Sequence, residues 1–79
     1  MKLTEKLEGY LADNQFTLIV KRGEIAWLRL ARAREEMRTK PDKAVVNGLT
    51  DGIVTRENEI ASLEFMVDYL QKEINEQEK

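Results

Sequence analysis

VNGLTDGIVTRENEIASLEFMVDYLQKEI, residues Val46 to Ile74, is the stretch that decides the fold. Taken at alternating steps of three and four it reads Val46, Leu49, Ile53, Arg56, Ile60, Leu63, Val67, Leu70, Ile74. Every position but Arg56 is aliphatic. Apolar residues in this rhythm over four heptads mark a helix packed along its length against another helix. The expected fold class is therefore all-α.

The partner must come from the same chain or from a second copy, and the residues upstream supply a candidate. Lys40-Pro41-Asp42 punctuates the sequence. A residue before proline avoids the right-handed helical region, so a first helix should stop near Thr39. Pro41 then suits the first position of the next helix. The arms are of matched length, about 3–38 and 42–77, with a turn at 39–42. At ~1.5 Å per residue each arm would span about 54 Å. Equal arms about a tight turn predict one antiparallel helical hairpin domain over 1–79, coiled-coil-like. Asn47-Gly48 and Asp51-Gly52 are turn signals, and each glycine costs a helix ~1 kcal/mol relative to alanine. The heptad phase nevertheless runs through them. Continuous helix is the expectation; a loop over 40–49 with a cap at Thr50 or Asp51 is the alternative.

The first arm is harder to read. Leu3, Leu7, Tyr10 and Leu11 share one face of a short amphipathic helix, which Thr4 could cap. Ala12 to Gln15 looks like a weak break. The same phase carried onward meets Asn14, Thr17, Lys21 and Glu24, so a new phase is expected to start at Phe16: Phe16, Val20, Gly23, Trp27, Leu30, Arg34, Met37. Thr17 to Val20 is alternatively a short strand, three of its four residues being β-branched. Pairing positions whose numbers sum to about 80 sets Trp27 against Ile53 and Phe16 against Leu63. It also sets Gly23 opposite Arg56, where a missing side chain would give an arginine stem room to reach Glu24 or Glu59. Leu18, Ile25 and Leu28 form a second stripe on this arm. Two apolar faces per helix suit a four-helix bundle, so a homodimer of hairpins is expected.

Composition removes whole classes of chemistry. There is no cysteine and no histidine. Disulfides, thiolate metal sites and the commonest general base are therefore excluded. Asp51, Glu57, Glu59, Glu64, Asp68, Glu73, Glu76 and Glu78 are scattered along the acidic arm, with aliphatic residues at its inward positions. Neither a metal site, nor a cofactor, nor an enzyme is expected. No apolar run approaches the ~18–20 residues of a membrane span and the amino terminus lacks a signal-peptide core, which predicts a soluble cytoplasmic protein without membrane contact. Net charge is −2, distributed as a basic middle (21–43) beside an acidic carboxy-terminal half.

Three sets of residues are candidates for function. Arg22, Arg29 and Arg32 share a helical face and would suit a nucleic-acid or acidic partner, although pairing with the acidic arm is the plainer reading and the low pI of about 5.2 disfavours polyanions. Arg56, with Gly23, is the candidate setter of seam register. Phe65 and Tyr69, one helical turn apart on the outer face of the second arm and flanked by Ala61 and Met66, would be bare rings in a lone hairpin. A second chain, the first arm wrapping round, or a heterologous protein would have to cover them. The functional expectation is a non-enzymatic protein-binding module, a small regulator or inhibitor of the size common among phage accessory proteins. A dimeric nucleic-acid-binding regulator using 21–43 and a structural coiled-coil subunit are the alternatives.

Overall fold

The computed structural model describes residues 2–78. Two helices, α1 (Leu3–Glu36) and α2 (Lys43–Gln77), pack antiparallel over their whole length. The result is a rod of 60 × 15 × 14 Å with no strand among the described residues. The chain is an all-α helical hairpin, as the heptads of the second arm and the matched arms predict.

α2 buries the face that its sequence announces. Ile53, Leu70 and Ile74 are buried, and Val46, Leu49, Arg56, Ile60, Leu63 and Val67 are half-buried along the same line. Asn47 to Gly52 is helix without interruption. Thr50 Oγ1 donates to Val46 O at 2.9 Å, so its hydroxyl is satisfied within the helix and does not cap a new one.

α1 is one helix, with no separate amino-terminal helix, and residues 17–20 are helical, which removes the alternative of a strand there. The weak break does not form: Asn14 Nδ2 donates to Tyr10 O at 2.7 Å, and Thr17 Oγ1, just beyond it, to Asp13 O at 2.9 Å, so both side chains are satisfied within the helix. Thr4 lies inside the first turn rather than capping it; Lys2 holds the cap position without a side-chain bond.

The largest correction concerns which stripe of α1 faces α2. The phase begun at Leu7 and Leu11 continues through Asn14, Leu18, Lys21, Ile25, Leu28 and Arg32, in steps of four and three, and these are the covered residues. Phe16, Val20, Gly23, Trp27, Leu30, Arg34 and Met37 point away from α2 and are exposed. The register is close to the expected one, since Lys21 meets Glu59, Glu24 meets Arg56 and Gly52 meets Leu28. Only the rotation differs, by nearly half a turn.

The connection is built from two carboxylates. Asp42 caps α2, its Oδ1 accepting from Ala44 N at 2.9 Å and Val45 N at 3.4 Å. Pro41 therefore precedes the cap instead of opening the helix. Glu35, at the end of α1, accepts from Asp42 N at 3.1 Å and from Arg38 Nη1 at 3.1 Å. Asp42→Ala should lower stability by about 1 kcal/mol, read as a shift in the urea midpoint at fixed protein concentration. The backbone bond from Asp42, then the Arg38 guanidinium, hold the Glu35 carboxyl below its ordinary value. A carboxyl depressed by folding stabilises fully above its unfolded pKa and loses that contribution as pH falls through the folded one. Glu35→Gln should therefore destabilise the hairpin at neutral pH. In acid below the folded pKa of Glu35 the two proteins should unfold together, a convergence that urea titrations across pH would detect.

Candidate interaction surfaces

A hairpin of this thickness has a single seam and two outer faces. Each outer face follows from the 3.6-residue period once the seam is fixed.

The seam carries polar pairs where α1 interrupts its apolar phase. Lys21 Nζ lies 2.6 Å from Glu59 Oε2. Arg56 Nε donates to Glu24 Oε2 at 3.3 Å, and its Nη1 donates to Gly52 O at 3.2 Å. Arg32 Nη1 donates to Thr50 Oγ1 at 3.3 Å. The expected reach of Arg56 to Glu24 is present, but Gly23 does not make the room for it. A Cβ built on Gly23 meets nothing within 4 Å, whereas one on Gly52 meets Arg56 Nη1 at 3.5 Å and Leu28 Cδ1 at 3.6 Å. Gly52, one turn before Arg56 on its own helix, is where backbone, guanidinium and Leu28 approach closely. Arg56→Leu completes the aliphatic seam and leaves Glu24 with solvent access, so a gain of about 1 kcal/mol is expected. Thermal melts of the variant alone and with Glu24→Gln would check it; a loss in both would show that the arginine holds the seam together.

Two of the three arginines of the basic face pair with the acidic helix and the third pairs within α1. Arg22 Nη2 is 3.6 Å from Glu64 Oε2, and Arg29 Nη2 is 3.5 Å from Glu57 Oε2. Arg32 Nε is 3.7 Å from Glu36 Oε1. These are exposed or half-exposed pairs of small individual value. Their consequence is geometric: the guanidiniums are directed at carboxylates of the same molecule.

The outer face of α2 holds Phe65, Met66, Tyr69 and Ala61, all exposed, with Phe65 at 73%. The first arm does not wrap over them. The outer face of α1 is broader and is the surface that the sequence reading assigned to the core. Phe16, Ile19 and Trp27 are each 67% exposed, joined by Val20, Leu30 and Met37. A shallow groove of about 360 Å³ beside Trp27 is lined by Leu30, Ala31, Arg34, Glu35 and Arg38. The signal for a second face was present in the sequence, since α1 carries two stripes in heptad rhythm and a hairpin seam uses one.

The described residues hold no group of three or more acidic side chains placed to bind a metal ion. No helix is long and apolar enough to cross a membrane. No family model matches the chain, and no curated protein or solved structure is significantly similar to it.

Proposed function

We propose that this chain is a non-enzymatic interaction module: a helical hairpin that self-associates and acts as a regulator or inhibitor by occupying a partner protein. The supporting observation is the amount of large apolar surface on both outer faces, set against a seam that, among the described residues, buries only Leu18, Ile25, Ile53, Leu70 and Ile74. Small domains bury too little surface to be robust alone, and rings in water at helical spacing mark contact surfaces. Self-association and partner binding cover such surface at once. Sedimentation velocity over a wide concentration range tests the first half: a reversible shift from monomer to dimer is expected, and a monomer at every concentration would overturn it. The nucleic-acid alternative is disfavoured by the low pI of about 5.2 and by the carboxylates that stand beside Arg22, Arg29 and Arg32. A salt-titrated DNA and RNA binding assay should give no binding even at low ionic strength.

A further inference from the structure

Resting on the self-association reading, we infer that the dimer forms through α1 alone, its outer stripe packing antiparallel against the same stripe of a second copy about a two-fold axis midway between Gly23 and Trp27. The outer faces of α1 and α2 point in opposite directions from the seam. Packing α1 of one copy on α2 of the next is a head-to-tail contact, which leaves one face of each kind free and propagates into a filament. Packing a face on its own copy is self-complementary and closes at two, and α1 offers the broader apolar face for it, with Phe16, Ile19, Val20, Trp27, Leu30 and Met37 exposed.

The side chains select the antiparallel alignment. With positions summing to 50, Trp27 of each copy faces Gly23 of the other, Leu30 faces Val20, and Arg34 faces Phe16. Gly23 is the place on this stripe where an indole finds room, since nothing stands within 4 Å of its Cβ position. Phe16 of the second copy enters the groove between Leu30 and Arg34. Arg34 is the one charged residue of the stripe, exposed and without an ion pair among the described residues. Antiparallel, it lies over the Phe16 ring and within a turn of Asp13, also exposed. In a parallel pair, Arg34 would meet Arg34, Trp27 would meet Trp27, and the Gly23 notch would stay empty. The aromatic face of α2 is left uncovered and free for a heterologous protein.

The chain has no cysteine, so single cysteines for nitroxide labels can be placed at Ala26 and at Ala12, both exposed on α1. At 1.5 Å per residue, two labels at position 26 are offset along the helix by about 3 Å and two at position 12 by about 39 Å. A short distance for Ala26→Cys and a long one for Ala12→Cys is the expected result. A dimer with short distances at both positions is parallel, and one with long distances at both is joined elsewhere; either overturns the inference while self-association stands. A monomer in sedimentation overturns both. As a second measurement, Gly23→Leu fills the notch while favouring helix, and should weaken the dimer about tenfold or more with helix content retained. Phe65→Ser should leave the dimer constant unchanged. The reverse pattern would place the dimer on α2 and sink the α1 pairing.

Discussion

Ile53→Ala should cost about 3 kcal/mol, the largest loss expected from any single truncation. Ile53 is 3% exposed, the most deeply buried of the described core residues. Truncating a buried aliphatic residue removes its transfer free energy and leaves a cavity, together about 2–5 kcal/mol. A core thick in three dimensions could relax into such a hole. A two-helix seam cannot relax freely here, because Arg56 and Gly52 flank the site on α2 and Glu24 holds Arg56 from the other side. A domain of this size has a total stability of only ~5–10 kcal/mol, so the variant should melt far below the parent. Urea denaturation of Ile53→Ala beside Trp27→Ala in dilute monomer is the appropriate contrast. Trp27 carries the larger side chain but is 67% exposed and should cost the monomer little. If Trp27→Ala were the more damaging of the two in dilute monomer, the rotation of α1 described above would be wrong.

The second large effect runs the other way. The double variant Gly9→Ala, Gly48→Ala should gain about 2 kcal/mol. Both glycines sit in helix interiors, and neither has positive φ. A Cβ at either position meets nothing within 4 Å. Replacing glycine by alanine in such a place gains ~1 kcal/mol, chiefly by restricting the unfolded chain. The two sites lie on different helices with no shared partner, so their effects should add. Gly52→Ala is the informative control: its Cβ would stand at ordinary contact distance from Arg56 and Leu28, so a gain at least as large is expected there. A gain at position 52 well below that at 48 would mean that Arg56 or Leu28 must shift to admit the methyl.

The interaction surfaces were only partly legible in the sequence. Phe65 and Tyr69 could be assigned to an outer face because α2 has one unbroken apolar phase, and everything a half-turn away from it must look outward. Trp27, Phe16 and Leu30 could not, because α1 offers two phases and the one with larger rings looks more like a core. Arg22, Arg29 and Arg32 read equally well as a phosphate-binding face or an ion-pair face until the acidic helix is in place beside them.

The sequence by itself therefore determined the hairpin. The heptads from Val46 to Ile74 committed α2 and its inward face, Pro41 and Asp42 placed the reversal, and arms of matched length set a register near 80. Only the tertiary structure decided which way α1 is turned. The Leu7–Arg32 phase spans nearly all of the helix without a break, while the Phe16 phase begins a third of the way along. Of the polar residues along this face, Lys21, Glu24 and Arg32 each have a complement across the seam in Glu59, Arg56 and Thr50, while Asn14 and Thr17 bond back to α1. A polar residue is costly in a seam only when it lacks a partner, and for Lys21, Glu24 and Arg32 the partner is supplied by the other helix, more than fifteen residues away in the chain.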